Sequence, residues 1–409
     1  MTKAFYYIII LITILDFGWT QYLSYRNRKR MSPLIPEKLK GIYNDDDYAR
    51  QQAYQKENSR FGLYTSLFSF IVTIIILAFG IFGWFDSFLR EYIESPVLLT
   101  LSYIGIIYLL NKIVSIPFSY YSTFTIEEKF GFNKSTPRIF WLDRIKGLLL
   151  TIILGGGILF VILWIFGNLD QYWWLYAWGI VTLFSLLMTF LYSDIIVPLF
   201  NKQTPLEDGE LRNAIESFAQ KAGFELKNIY VMDASKRSTK ANAYFTGFGS
   251  KKRIVLFDTL IKNLSTQEIV AVLAHEVGHY KKKHIIQQMI ISVLYTGAML
   301  YILSFFLNSQ ALAEALGGTQ PSFHLGIIAF SILFTPISLL LGLATSVLSR
   351  KNEYEADAYA SDFGYGDELI SGLKKLSVDS LSNLNPDPLY VFFYYSHPTL
   401  LQRIEHLGK

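Results

Sequence analysis

Residues 68–85 read FSFIVTIIILAFGIFGWF and contain no charged side chain, and the first charge that follows is Asp86. A helix needs about 20 predominantly apolar residues to cross the hydrocarbon core of a bilayer. The alternative, a buried core helix, is disfavoured by so long an uncharged run. Six other stretches share this character. The sequence therefore predicts seven membrane-spanning helices, at about 4–23, 62–86, 96–118, 147–166, 172–199, 285–307 and 325–348.

The composition of the whole chain agrees with a membrane protein. Hydrophobic residues make up 52% of the 409 residues and charged residues only 17%, against about 25% charged residues in a typical soluble protein. This apolar content excludes a disordered or collagen-like chain. The chain has no cysteine, which excludes disulfides and thiolate metal sites. A net charge of +4 is too small to indicate a nucleic-acid partner.

The distribution of lysine and arginine predicts how the chain crosses the membrane. These residues are frequent in the loop 24–60 and absent from the loops 167–171 and 308–324. Because cytosolic loops carry the excess of positive charge, we expect the N-terminus outside and the C-terminus in the cytosol. The predicted division is spans 1–5 with the cytosolic loop in residues 1–199, a cytosolic insert at 200–284, spans 6–7 at 285–349, and a cytosolic C-terminal segment at 350–409.

The insert alternates between helical and strand patterns, which is typical of a small α/β unit. Its predicted elements are a helix at 208–222, a strand at 229–232, and a hairpin formed by 243–248 and 253–258. Ser265 and Glu268 have the spacing of a capping box, which marks a helix start. We therefore expect a helix over 267–283 that leads into the sixth span.

That helix contains His275-Glu276-Val277-Gly278-His279, an H-E-x-x-H motif. Residues i and i+4 lie on one helix face, so both imidazoles can bind one metal ion. Glu276 lies beside them, where its carboxylate can act as general base toward a water molecule that zinc activates. The alternative is a helix with incidental His and Glu residues. The apolar residues around the motif disfavour this alternative, because burying polar groups that have no partner is costly.

The third metal ligand is expected after the seventh span. A catalytic zinc site takes three protein ligands and keeps one position open, and without cysteine the third must be His, Glu or Asp. Spans 6 and 7 form a hairpin that returns the chain to the side of the membrane where the motif lies. There, Glu353 and Asp357 share a helix face, whereas Glu355 points about 200° away. We expect Glu353 as the ligand and Asp357 as the partner that orients a ligand histidine. The alternative is a solvated acidic helix start.

Five stretches, in this order, resemble the CAAX prenyl protease 1 family, the integral-membrane zinc metalloproteases that process prenylated proteins. They are IPEKLKG at 35–41, ANAYFTGFG at 241–249, HEVGH at 275–279, EYEAD at 353–357 and SHPTLLQRI at 396–404. H-E-x-x-H alone occurs in many proteases, whereas the five stretches together are specific. The resemblance covers nearly the whole chain, including its length and its seven spans.

The resemblance implies a mainly α-helical protein. Seven transmembrane helices form a cage around a large water-filled chamber, and a small cytosolic α/β insert carries the zinc-metalloprotease motif. It also implies one zinc ion per chain near the cytosolic end of the chamber. The implied activity is endoproteolysis of the C-terminal tripeptide of prenylated CAAX proteins or peptides. Glu353 matches the glutamate ligand of the family, and Asp357 matches the aspartate of its E-x-x-x-D motif.

The resemblance assigns further residues to catalysis and substrate binding. His397 matches a histidine near the catalytic centre that can stabilise an oxyanion, and Arg403 matches a nearby catalytic arginine. Asn242 lies in the segment that borders the substrate. The strand that follows could bind an extended peptide by β-augmentation, and its residues expected at the substrate are Ala243, Tyr244 and Phe245.

Two other functions stay open at this point. One is a membrane quality-control metalloprotease similar to the HtpX relatives, which are shorter, have fewer spans and lack the element at 35–41. The other is a non-enzymatic transporter or metal-binding protein, which the intact Glu276 disfavours. The expected partners are a lipidated peptide or protein substrate and the lipid bilayer. The expected location is the endoplasmic reticulum in a eukaryote or the inner membrane in a bacterium.

Overall fold

The computed structural model describes residues 2–169, 171–224, 226, 228–246 and 253–408. The first half of the chain is helical, because a segment inside a bilayer must satisfy its backbone hydrogen bonds internally. Its helices are α1 (Thr2–Lys29), α2 (Asp45–Ala78), α3 (Ile81–Arg90), α4 (Pro96–Tyr121), α5 (Pro137–Leu150), α6 (Gly156–Asn168) and α7 (Trp173–Leu191). Three π-helical segments prolong or join them, at Ser122–Glu127, Thr151–Gly155 and Tyr192–Ile196.

The second half of the chain adds a small sheet and ten more described helices. The strands are β1 (Gln203–Pro205), β2 (Asn228–Met232), β3 (Ala243–Thr246) and β4 (Arg253–Phe257). The helices are α8 (Glu210–Lys221), α9 (Asp258–Asn263), α10 (Thr266–Lys281), α11 (His284–Ser304), α12 (Gln310–Ala315), α13 (Phe323–Leu333), α14 (Thr335–Asp362), α15 (Gly366–Asp379), α16 (Pro388–Tyr394) and α17 (Leu400–Leu407).

The membrane part is a cage of long apolar helices. In the described part of the chain, six helical stretches are long and apolar enough to cross a membrane, and the number is seven if α13 and α14, bent by 58°, count as one broken span. This agrees with the seven predicted spans. Only 6% to 17% of the residues in the apolar windows of the six are buried. Most of the apolar residues in these spans are thus not packed against other parts of the protein.

The second span ends earlier than the predicted range 62–86. Helix α2 stops at Ala78, and Gly80 has a φ of +60°, a left-handed conformation that glycine adopts without strain. The chain then turns into α3, where Asp86 is buried and forms a hydrogen bond with Nε2 of His324 of α13 at 2.6 Å. The uncharged run at 68–85 thus belongs to two helices. Hydropathy alone does not reveal this, because a glycine turn leaves the apolar run unbroken.

The described strands form one sheet in the order β1-β2-β4-β3. β2 and β4 are parallel, and β3 pairs with β4 in antiparallel orientation, with Tyr244 opposite Val255. The antiparallel pair confirms the predicted hairpin, although Phe248 and the turn at 249–252 lie outside the described residues. β1 has only three residues, one of them Pro205, and the sequence pattern does not reveal it. β3 lies at one edge of this sheet.

Helix α10, which carries the H-E-x-x-H motif, is buried between the insert and α14. Its start is a capping box between Ser265 and Glu268, as predicted. Its apolar face packs into a core formed with α8, α15 and the sheet. Gly278 allows α10 to approach α14 closely, because a Cβ there would lie 3.1 Å from both Cα and O of Ala356. The motif is therefore held directly against the segment that carries Glu353.

Glu268 fixes the start of this helix to α15. Its carboxylate accepts hydrogen bonds from Ser265 N at 2.8 Å, Ser371 Oγ at 2.7 Å and Lys375 Nζ at 2.8 Å. Burial raises the pKa of Glu268, but the hydrogen bonds from Lys375, Ser265 and Ser371 outweigh it and lower its pKa from 4.5 to about 2. The folded protein thus favours the ionised carboxylate at neutral pH.

We expect the substitution Glu268→Gln to lower the free energy of unfolding by about 2 kcal/mol at pH 7, since it weakens hydrogen bonds to a charged group. The wild-type advantage is complete above pH 4.5 and shrinks as the pH falls toward 2, because protonation then neutralises Glu268. Thermal melts of both proteins at pH 7 and pH 3.5 measure this. Glu216→Gln, which changes an exposed ion pair with Arg212, should cost about 0.5 kcal/mol or less. Equal effects of the two substitutions would contradict the role given to Glu268.

Candidate metal centre and active site

Three side chains from α10 and α14 turn their ligating atoms toward one point. His275, His279 and Glu353 each offer one atom, and these atoms all lie within 4.8 Å of one another. The two Nε2 atoms are 3.1 Å apart. Glu353 Oε1 lies 3.4 Å from Nε2 of His279, and Oε2 lies 3.5 Å from Nε2 of His275. The structure thus brings together the three residues that the sequence singled out as ligands.

The chemistry of this cluster fits a bound cation. His275 and Glu353 are buried, and among the described residues no hydrogen bond reaches Oε2 of Glu353. Burial lowers the pKa of His275, but its interactions with the carboxylates of Asp357 and Glu353 outweigh burial and raise its pKa to about 9. The position therefore attracts positive charge, and two imidazole nitrogens with one carboxylate form a donor set that suits zinc.

His275 is oriented by a buried carboxylate. Its Nδ1 lies 2.8 Å from Oδ1 of Asp357, which has no exposed surface. Arg403 binds Asp357 with two nitrogens: Nε donates to Oδ2 at 2.8 Å, and Nη2 donates to Oδ1. From these contacts we assign the proton of the imidazole to Nδ1, so that Nε2 presents its lone pair to the cluster. Arg403 itself is buried and also lies directly beside the cluster: its Nη2 is 3.3 Å from Nδ1 of His275, and its Nη1 is 3.7 Å from Oε2 of Glu353.

His279 has a partner that sequence reasoning missed. Its Nδ1 lies 3.0 Å from Nδ1 of His284, and Nε2 of His284 lies 3.1 Å from Oε2 of Glu355. On an unbroken helix, His284 would point about 140° away from His279. The break between α10 and α11 at Lys283 changes this. Glu355, which turns away from the metal side of α14, meets His284 there.

Glu276 faces a cavity that opens beside the cluster. The cavity has a volume of about 540 Å³, and its walls come from β3, α10, α11 and α14. Glu276 and His279 line it together with Tyr244 and Phe245 of β3. A substrate peptide could therefore lie between the edge strand and the metal cluster. The sequence predicted Tyr244 and Phe245 near the substrate, and both lie on this wall.

His397 reaches the cluster from the C-terminal segment. Its Nε2 lies 3.3 Å from Oε1 of Glu353, and its side chain is 64% exposed. Two anchors hold the segment before it. Asp387 caps α16 and forms an ion pair with Arg26 of α1 at 3.2 Å. Arg350 of α14 donates hydrogen bonds to carbonyls at the end of α16, including that of Tyr395. His397 is thus tied to both the first and the seventh span.

Asn242 lies just before β3 and is exposed. Its Oδ1 accepts a hydrogen bond from the backbone N–H of Ala243 at 2.9 Å, and its carbonyl accepts one from Phe257 at 3.1 Å. These contacts fix the start of the edge strand. The edge of β3 that faces away from β4 lies at the border of the described sheet, where an additional strand could pair.

Comparison with known proteins accounts for nearly the whole chain. The family model for the CAAX prenyl protease N-terminal region, with five membrane helices, matches residues 24–202. The model for peptidase family M48 matches residues 205–409. The two matches meet where the last of the first five spans gives way to the sheet. The quality-control and non-enzymatic alternatives are not favoured by these matches.

Individual relatives extend over almost the same length. CAAX prenyl protease 1 of Saccharomyces cerevisiae is 36% identical over 97% of this chain and 93% of its own length. The CAAX prenyl protease 1 homolog of Homo sapiens is 32% identical over 96% of this chain and 94% of its own. The crystal structure of S. mikatae Ste24p superposes with a TM-score of 0.94 at 34% identity, covering 99% of each chain. Taken with the membrane cage and the His–His–Glu cluster, these matches establish that the chain belongs to the CAAX prenyl protease 1 family of integral membrane M48 metallopeptidases.

Proposed function

We propose that this protein is a zinc-dependent endopeptidase that removes the C-terminal tripeptide of prenylated CAAX proteins or peptides. The observation that carries this proposal is the convergence of His275, His279 and Glu353 beside a cavity that Glu276 and β3 line. The relatives named CAAX prenyl proteases support the choice of substrate. The peptide would bind on the cytosolic side of the cage.

One zinc ion per chain would be held by Nε2 of His275, Nε2 of His279 and the carboxylate of Glu353. Three protein ligands with a fourth position facing a cavity are typical of catalytic rather than structural zinc. The absence of cysteine from the chain leaves nitrogen and oxygen ligands. When bound, zinc supplies a Lewis acid and lowers the pKa of a water molecule to about 7.

The protein side chains would move and hold the protons of the reaction. Glu276 accepts a proton from the attacking water and returns it to the leaving amine, as general acid–base catalysis requires. Asp357 keeps the His275 proton on Nδ1, and Arg403 holds Asp357 in place through its two hydrogen bonds. Arg403 is therefore a positioning residue, because it acts on the reaction through its contacts with Asp357, His275 and Glu353.

His397 and the β3 edge would hold the peptide. An extended peptide added to β3 gains backbone hydrogen bonds that do not depend on its side chains. Asn242, which is exposed at the start of β3, is placed to bind the peptide backbone. His397 lies 3.3 Å from Glu353, close enough to donate a hydrogen bond to the oxyanion that forms at the scissile carbonyl.

The lipid group of the substrate would enter the chamber of the cage. The spans bury few of their apolar residues against each other, so apolar surface remains available inside and outside. The charge of the loops supports a topology with the N-terminus outside and the C-terminus in the cytosol. The membrane would be the endoplasmic reticulum in a eukaryote and the inner membrane in a bacterium.

Glu276→Gln should lower kcat for a farnesylated CAAX peptide by about a thousandfold, since the amide cannot accept the proton of water. The zinc content of the purified protein should stay at one per chain, because Glu276 is not a ligand. Peptide cleavage and metal analysis in detergent test both statements. Chelation of the metal should abolish wild-type activity, and added zinc should restore it.

The exposed Glu405→Gln on α17 is the matched control for this experiment and should keep wild-type activity. A Glu276→Gln variant with more than about a tenth of wild-type kcat would contradict the role of Glu276. Activity that survives removal of the metal would contradict the metal centre itself.

The farnesylated peptide should be cleaved with a kcat/KM at least about tenfold higher than its unprenylated twin. Tenfold corresponds to about 1.4 kcal/mol, and burial of a few methylene groups supplies this at about 0.8 kcal/mol each. Both peptides are compared at equal detergent concentration, with an octanoylated peptide as a shorter-chain control. Equal values for all three peptides would argue for a protease that ignores the lipid.

A further inference from the structure

A hydrogen-bonded chain of two histidines and a glutamate runs from the metal cluster to the far side of α14. His279 Nδ1 lies 3.0 Å from Nδ1 of His284, and the two rings meet nearly edge to face at 5.1 Å. His284 Nε2 lies 3.1 Å from Oε2 of Glu355. His284 is buried, with 5% of its surface exposed, and the side chain of Glu355 is 40% exposed. This series of hydrogen bonds thus begins at a proposed metal ligand and ends near solvent.

The backbone is bent to place His284 in this position. Lys283, the residue between α10 and α11, has a φ of +63° and a ψ of +25°, a left-handed conformation that residues other than glycine seldom adopt. Without this turn, His284 would continue the α10 helix and face away from His279. An unfavourable conformation at a non-glycine residue is maintained when the surrounding contacts demand it. Here the turn brings His284 to within 3.0 Å of His279.

Only one assignment of donors and acceptors along these hydrogen bonds allows His279 to bind a metal. Nε2 of His279 must be free of a proton to bind a metal, so Nδ1 carries the proton. Nδ1 of His284 then accepts, Nε2 of His284 donates, and the carboxylate of Glu355 accepts. The ring of the other ligand histidine, His275, is held in the same way by its direct contact with Asp357.

We propose that His284 and Glu355 are positioning residues that fix the tautomer and the ring orientation of His279 for metal binding. This rests on the proposed function only in that His275, His279 and Glu353 bind zinc. Partners of this kind raise the metal affinity of a site, and their loss typically costs 10- to 100-fold in affinity. Asp357 orients His275 by direct contact, whereas Glu355 orients His279 indirectly, through His284.

The zinc affinity of purified full-length protein in detergent tests this assignment. Affinity is measured by competition with a chromophoric chelator, without any peptide substrate. His284→Leu has a similar volume and no acceptor, and should bind zinc about 10- to 100-fold more weakly than wild type. His284→Asn places an amide oxygen near the position of Nδ1 and should stay within about threefold of wild type. Such rescue by asparagine would not occur if the ring only filled space.

Replacement of zinc by Co²⁺ adds a spectroscopic readout at the metal. The visible absorption of Co²⁺ reports the geometry of its ligands, and a freely rotating His279 should change the band positions in His284→Leu but not in His284→Asn. Wild-type affinity together with a wild-type spectrum in a folded His284→Leu protein would overturn the proposal.

Glu355 provides an independent test if His284→Leu does not fold. Its side chain is partly exposed, so Glu355→Leu is compatible with folding, and we expect about tenfold weaker zinc binding. Glu355→Gln keeps an acceptor and should bind nearly as wild type. Lys351→Ala is the matched control, since Lys351 lies 3.7 Å from the other oxygen of Glu355 and is 71% exposed. Its zinc affinity should be unchanged.

Equal zinc affinity for Glu355→Leu and Lys351→Ala would overturn the proposal at the carboxylate end of the chain. A wild-type protein that binds no zinc would overturn the metal centre and this proposal together. A wild-type protein that binds zinc but does not cleave CAAX peptides would contradict only the substrate assignment, since the comparison of variants needs no cleavage.

Discussion

Two imidazole nitrogens and a carboxylate that face one another inside a protein repel, and such a cluster persists only where positive charge compensates and the surroundings hold each group. His275, His279 and Glu353 form this cluster, and the architecture around it supplies the support. The core shared by α8, α10, α15 and the sheet fixes one side. The close contact of Gly278 with α14 fixes the distance to Glu353. The metal site therefore depends on the close packing of α10 against α14.

The metal cluster is also tied to the membrane-spanning helices at several points. Lys240, which precedes β3, binds Glu127 at the end of the third span at 2.9 Å. Glu127 lies in a π-helical segment, an irregularity that is frequent at functional positions. On the other side, Asp387 connects the segment of His397 to α1. Both β3 and the segment of His397 are thus anchored to membrane-spanning helices, one through Lys240 and the other through Asp387.

The sequence predicted the parts of this molecule that follow from periodicity and spacing. Seven apolar runs gave the spans, and the capping box at Ser265 gave the start of α10. Helical spacing also brought Glu353 and Asp357 to one face of α14. The contacts of His284 could not be predicted this way, because spacing arguments assume a continuous helix. The left-handed turn at Lys283 breaks it without a glycine or proline to mark the place.

That turn resolves a conflict between two neighbouring helices. Helix α10 must bury most of its surface against the insert to hold the metal ligands, whereas α11 must present apolar residues to the membrane. A single straight helix could not meet both requirements, because it would point away from either the insert or the membrane. One residue in an unfavourable conformation redirects the chain between the two environments. The same residue places His284 beneath His279, so that the point where the chain enters the membrane also supports the metal ligand.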